Sequence, residues 1–231
     1  MNFVLSSRTQ EIIENFSSIN PSILFREGNV LKTISPSKDI FAVAVIPEVI
    51  PQEFAIYDLS RFLGALSLFD NPTIAFQDKS LVIQSENRQL NYVYAAPNAI
   101  IIAPDKEMGL PETVAEFEIS EKVLLDTKKA LNLLRLPQVV FTSDGSSVIL
   151  QAADVKNPTG DTYFSKVGES QKSFKVVLNA DKLSKILLDD YKVTLTYGKI
   201  GDSRDNIAVS VFESKDVKFF IVPEENSQYD G

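Results

Sequence analysis

The sequence contains no cysteine, no histidine and no tryptophan. Lack of cysteine excludes disulfides. Lack of both cysteine and histidine excludes a Cys/His zinc site, a Cys–His nucleophile and a His-centred triad. Glycine is sparse, 9 in 231 residues, and no Walker loop or dinucleotide fingerprint occurs. The nearest glycine cluster, Gly198-Lys-Ile-Gly201, reads as a turn between strands. No apolar run approaches the roughly 20 residues that span a bilayer. The start, MNFVLSSRTQEI, lacks the basic-then-apolar layout of a signal peptide, so a soluble, intracellular chain is expected. Basic residues are also in the minority, 23 against 31 acidic, for a formal charge of −8. Taken whole, that balance argues against nucleic acid as a partner.

What is present is ordinary globular composition, 44% hydrophobic and 23% charged, in a length that suits two domains of roughly 115 residues. The carboxylate pairs Asp189-Asp190 and Glu224-Glu225 lie in polar, turn-like or terminal sequence. General acid–base work needs carboxylates whose pKa is shifted by burial, and these read as solvated surface. No catalytic residue, metal site or cofactor is assigned, and a non-enzymatic protein is expected.

The informative signal is repetition. Four segments carry the 3.6-residue apolar spacing of an amphipathic helix. The first shows Leu5, Thr9, Ile12, Ile13 and Phe16, with Ser6 or Ser7 as N-cap. The second follows Asp58 with Leu59, Phe62, Leu63 and Leu66. The third runs from Ser120 to about Leu134 with Val123, Thr127, Ala130, Leu131 and Leu134 inward. The fourth follows Asn179 with Leu183, Ile186 and Leu187. Strand-like runs ended by a polar cap lead into the last three, at Phe54–Tyr57, Phe117–Ile119 and Phe174–Leu178. Further runs follow each helix: 22–25, 29–34 and 40–46; 73–76, 80–85 and 89–95; 138–142 and 147–152; 192–197, 206–212 and 217–222.

Four weak copies of one unit make two similar α+β domains, each with two helices on one face of antiparallel sheet. The boundary falls in the Pro- and Gly-punctuated stretch Ala95–Pro111, giving domains 1–110 and 111–231 with a connector at about 96–111. Lys156–Asp161 is expected to be a loop, and the tail from Glu224 to be frayed. Open sheets leave unpaired edges, and a domain pair with a free edge at each end can join head to tail into a ring.

Location changes the meaning of the charge. Across residues 5–18, 57–69, 120–135 and 179–190, Arg8, Arg61, Lys122, Lys128, Lys129, Arg135, Lys182 and Lys185 are matched in number by the acids. The whole excess of −8 therefore lies outside the helical segments. Lys122 and Lys129 sit on the side of the third helix away from its apolar stripe.

Phe54-Ala-Ile-Tyr-Asp-Leu-Ser-Arg-Phe-Leu-Gly-Ala-Leu-Ser-Leu68 resembles the second-helix region of the DNA polymerase sliding clamps of T-even-type bacteriophages. Asn15-Phe-Ser-Ser-Ile-Asn-Pro-Ser-Ile23 resembles the end of their first helix. The likeness is clear over the first domain; the second agrees more in order of elements than in residues. It implies the DNA-clamp fold and a ring-shaped homotrimer that encircles duplex DNA without reading its sequence. It further implies that the ring tethers the replicative polymerase as a processivity factor, is placed by an ATP-driven clamp loader and assists late transcription. Such a protein acts in the cytoplasm of the infected bacterial host.

On that resemblance Arg8, Arg61, Lys122, Lys128, Lys129, Lys182 and Lys185 would face DNA, the third and fourth helices more than the first, where Glu11 and Glu14 intervene. Partner peptides of such clamps dock in an apolar pocket beside the connector. Here that implies Val45, Ile46, Ile101, Ile102, Met108, Leu110, Val222 and Pro223. The alternative is a β-rich structural virion protein that oligomerises through the same edges.

Overall fold

Ser6 starts the first helix by accepting a hydrogen bond from the Thr9 amide at 3.2 Å, which satisfies one of the orphan donors of the first turn. The computed structural model, which describes residues 3–106, 108–201 and 203–229, forms two compact units, Met1–Asp105 and Lys106–Gly231.

In the first unit α1 (Ser7–Ile19) buries Thr9, Ile12, Ile13, Phe16 and Ile19, as its period requires; Leu5 is buried just ahead of it. Asp58 caps α2 (Leu59–Ser67), accepting from the Arg61 amide at 2.9 Å. Its core face is Leu59, Phe62, Ala65 and Leu66, so Leu63, expected on the stripe, is only half-buried. The two helices pack side by side. Among the described residues of this unit seven strands accompany them: β1 (Ile23–Phe25), β2 (Gly28–Ile34), β3 (Ile40–Ile50), β4 (Phe54–Ile56), β5 (Thr73–Phe76), β6 (Ser80–Ser85) and β7 (Arg88–Val93). All pair antiparallel, as β1-β4, β2-β3 and β5-β6-β7. Phe25 stacks on Phe54 at 4.6 Å and meets Phe62 edge-on at 6.3 Å, which gives the core an aromatic centre.

The second unit repeats the plan. β8 (Thr113–Ile119) leads through the Ser120 cap into α3 (Glu121–Leu134), which ends at Arg135 in the left-handed region with φ 52°. β9 (Gln138–Asp144), β10 (Ser147–Ala153), β11 (Tyr163–Glu169) and β12 (Ser173–Asn179) follow. Asn179 caps α4 (Ala180–Ser184); β13 (Tyr191–Gly198), β14 (Ile207–Glu213), β15 (Val217–Ile221) and β16 (Gln228–Tyr229) complete the unit. Its sheets run β11-β10-β9-β12-β16 and β15-β14-β13-β8, again antiparallel. α3 packs on β10 and β11, α4 on β9 and β12, and the helices on each other. Phe141, Phe212 and Phe219 are fully buried beneath them.

Four expectations need correction. The core face of α3 is Leu124, Thr127 and Leu131; Val123 is half-buried and Leu134 is 36% exposed. α4 is five residues long, and Ile186 and Leu187 are buried from the turn that follows it. A strand the apolar pattern did not show, β11, follows the Lys156–Asp161 loop. The tail is held rather than frayed. β16 pairs with β12, the Glu224 amide donates to the Val177 carbonyl at 2.8 Å, and Tyr229 stacks on Tyr197 at 4.3 Å.

Candidate nucleic-acid interface and docking surfaces

Each unit presents a pair of neighbouring helices, and the charged side chains on those pairs differ in what they touch. On α3, Lys122 is highly exposed and reaches Asp126 one turn on, with Nζ 2.6 Å from Oδ2. That hydrogen bond holds the Lys122 pKa above, and the Asp126 pKa below, its ordinary value. Lys129 is exposed one turn further along the same side. Lys182 on α4 is half-buried and donates to the Val222 carbonyl at 2.8 Å, tying the helix to the chain after β15. Lys185 is half-buried in the turn that follows.

Lys128 is a correction. Its ammonium turns inward and donates to the Ser184 carbonyl at 3.2 Å and to the Ile186 carbonyl. These are carbonyls that α4 and its closing turn leave without helical partners. Burial lowers the Lys128 pKa to about 8. The residue is a strut between α3 and α4, not a cation offered to phosphate. The signal was in the sequence: Leu124, Thr127, Lys128 and Leu131 fall at i, i+3, i+4 and i+7, so the stripe itself contains Lys128.

The helix pair of the first unit is poorer in cations. Arg8 is half-buried and bridges to Glu11 at 3.0 Å. Arg61 is exposed on α2. The groove between the helices is lined by Ser7, Gln10, Glu11, Glu14, Ser60 and Ser67, a polar and acidic surface. At the start of α1, Glu48 reaches over from β3, accepting from the Ser6 amide and the Thr9 hydroxyl, each at 2.5 Å. Burial pushes its pKa up, but the bonds from Thr9 and Ser6 outweigh burial and leave it below the ordinary value.

Of the apolar residues expected at a partner surface, six are open. In the first unit Val45 is 52% exposed, and Ile101 and Ile102 are also exposed. In the second unit Met108, Leu110 and Val222 are exposed. Ile46, 2% exposed, and the buried Pro223 point into the packing of their own units, so neither offers a surface.

Two sheet edges stand out. β7 ends its sheet and exposes Val93 at 70%, beside a groove of about 400 Å³ lined by Tyr57, Arg61, Ala65, Leu90, Tyr92 and Val93. β11 ends the five-stranded sheet and exposes Phe164, also at 70%. Sequence reasoning gave open edges in general but not these two. The alternating exposure of β11 is too weak an apolar pattern to register as a strand.

Comparison with known proteins places this geometry. Residues 6–102 match the DNA polymerase processivity factor family. The sliding clamp of Vibrio phage KVP40 is 33% identical over 199 residues, covering 83% of this chain and 89% of that protein. The sliding clamp of Escherichia phage RB69 is 28% identical, covering 98% of this chain and 99% of that protein. Among solved structures, PCNA from A. fulgidus with the C-terminal region of FEN-1 bound superposes with a TM-score of 0.68 at 16% identity, covering 98% and 99% of the two chains. At that identity the likeness is one of fold.

Proposed function

Since the chain belongs to the family of sliding clamps of T-even-type bacteriophages, has the DNA-clamp fold and serves as a non-enzymatic processivity factor, we propose how it does so: three copies close into a ring around duplex DNA and tether the replicative polymerase. An ATP-driven loader opens and places the ring in the infected bacterial cytoplasm, and the loaded ring assists late transcription. The observation that carries the reading is the division of surfaces within each unit. Two helices lie together and the charges of their own segments nearly cancel, while the excess acid lies outside those segments. Phosphate contacts from Lys122, Lys129, Lys182 and Lys185, with Arg8 and Arg61 contributing less, attract DNA without reading it. Enclosure, rather than affinity, then gives processivity. Acid on the outer surface repels DNA from the wrong face.

Ring closure runs head to tail, β7 of one copy against β11 of the next, because these edges carry the most exposed apolar side chains of any strand edge in their units. Partner peptides meet the exposed residues Val45, Ile101 and Ile102, and the exposed Met108, Leu110 and Val222 belong to the same function.

The experiment uses the absence of cysteine. Val93→Cys and Phe164→Cys in one chain, treated with a short bis-maleimide, are expected to yield covalent trimers, and native mass spectrometry of the parent three times the 25.7 kDa chain mass. A persistent monomer that no loader places on primed DNA defeats the ring. A trimer without the cross-link moves closure to other edges.

A further inference from the structure

The motif Asn20-Pro21-Ser22, at the end of α1, has a hydrogen-bonding role that nothing in its apolar pattern suggests. Asn20 is 2% exposed and its side chain is fully used. Oδ1 accepts from the Ser22 amide and the Ser22 hydroxyl, each at 3.0 Å. Nδ2 donates to the Ile34 carbonyl at 3.0 Å, at the end of β2, and to the Ile101 carbonyl at 3.2 Å. An amide offers two donors and a carbonyl with two lone pairs, so all four positions are occupied. Its own amide closes α1 on the Phe16 carbonyl at 2.9 Å. The adjoining Pro21 carbonyl accepts from the Leu59 amide at 2.8 Å, at the start of α2.

The bond to Ile101 reaches across 81 positions to a segment without regular structure after the 3-10 turn Pro97–Ala99. Further along, Asp105 is held by Lys32 of β2, whose Nζ donates to the Asp105 carbonyl at 2.7 Å, and by Arg26 in the turn between β1 and β2, 3.6 Å from its carboxylate. Between these anchors Ala103 is buried while Ile101 and Ile102 are exposed at 43% and 38%. A short segment pinned at both ends by buried or half-buried side chains presents its apolar residues at a fixed height and angle.

We propose that Asn20 is a positioning residue for partner docking: by holding the Ile101 carbonyl it sets how Ile101 and Ile102 meet an apolar peptide of the replicative polymerase, which Asn20 itself does not touch. The inference rests on the reading that this segment receives partner peptides. Preorganisation is the physical reason. A segment already ordered in the free protein loses less entropy when the partner binds.

The test compares three variants of the full-length ring for affinity to the intact phage polymerase. Asn20→Asp keeps the acceptors for Ser22 but loses both donors and sets a carboxylate against two carbonyls. It is expected to weaken polymerase binding at least tenfold and to speed amide exchange over 98–104, with the trimer mass unchanged. Ser22→Ala removes one bond to the same Asn20 oxygen and leaves Nδ2 in place; it is expected to lower the melting temperature but keep polymerase affinity. Ile101→Ser/Ile102→Ser tests the underlying reading and is expected to lose binding. A trimeric Asn20→Asp that binds as tightly as the parent, or a Ser22→Ala that loses binding equally, overturns the positioning role. If the isoleucine variant also binds normally, the docking surface itself is misplaced. Should Asn20→Asp not fold, Asn20→Ser takes its place, because one hydroxyl proton cannot serve both carbonyls.

Discussion

The two units anchor a helix to the body of the fold with opposite charges at opposite helix ends. In the first, the Glu48 carboxylate sits at the N-terminus of α1 and accepts from Ser6 and Thr9. In the second, the Lys128 ammonium sits at the C-terminal carbonyls of α4. Each choice suits the partial charge at that end, positive where amides lack partners and negative where carbonyls do. The consequence reaches the helix faces proposed to meet DNA. Glu48 consumes no cation of α1. Lys128 withdraws one from the second unit, yet α3 and α4 still hold more cations than α1 and α2. A duplicated architecture thus carries unequal helix faces, one polar and acidic in its groove, the other lysine-rich.

The sharpest test of that inequality is charge reversal. Lys122, Lys129, Lys182 and Lys185 changed together to Glu should cut DNA retention and processivity at least tenfold and reduce the salt dependence of binding, with the trimer intact. Arg8→Glu with Arg61→Glu should do clearly less. Equal losses from the two sets would erase the difference between the helix pairs. Primer-extension length on a singly primed template, across a salt series, reads both.

The aromatic cores come next in size. Phe62→Ala in the first unit and Phe212→Ala in the second each empty a fully enclosed site, at a cost of about 3–5 kcal/mol. Hydrogen exchange resolved by segment should localise each loss to its own unit. Uniform loss over the whole chain would mean that the two units unfold together.

Smaller, and acting in separate pH ranges though in the same direction, are the two struts. The Glu48 pKa is depressed, so its contribution is present above the ordinary value of 4.5 and is lost as pH falls through the folded value. Glu48→Gln should cost about 1–2 kcal/mol at pH 7 and flatten the acid limb of the stability curve, measured by urea unfolding from pH 7 to 3. An acid limb identical to the parent's would show that other carboxylates set it.

The Lys128 pKa is also lowered, to about 8 from an ordinary 10.5, so the unfolded chain holds the proton more tightly. Stability from this group therefore rises as pH climbs from 8 toward 10.5 and is lost as pH falls through 8. Lys128→Met should remove that alkaline gain and change stability at pH 7 by no more than about 1 kcal/mol, since lost hydrogen bonds offset a relieved buried charge. Thermal melts of parent and variant at pH 7 and 9.5 decide it.

Much of the fold could be read because local chemistry decides it. Ser6, Asp58, Ser120 and Asn179 cap the helices where a polar residue precedes an apolar stripe. The strands Thr73–Phe76 and Ser80–Ser85 fall where turn residues bracket them. What escaped was set by tertiary packing. Starting the α3 stripe at Val123 rather than Leu124 rotates the helix enough to move Lys128 from the packed side to solvent. β11 alternates half-buried and exposed residues around Gly168, whose missing side chain lets Phe117 approach to 2.6 Å from where a Cβ would stand. No apolar run could announce such a strand. The candidate cations could be counted in the sequence, and the Leu124–Leu131 spacing puts Lys128 on the packed side, but the carbonyls it meets are brought to it only by tertiary packing.

The held tail has a bearing on assembly polarity. β16 and the Ser227 hydroxyl, which accepts from the Val177 amide at 2.9 Å, cover β12 at one margin of the five-stranded sheet. The opposite margin, β11, has no strand hydrogen-bonded beyond it among the described residues. Of that sheet's two sides one is stoppered by the chain itself, so in the proposed ring a neighbour extends the unit in a single direction. Cutting the chain before Glu224 would give the sheet a second valence, and with it a route from closed rings to open-ended aggregates.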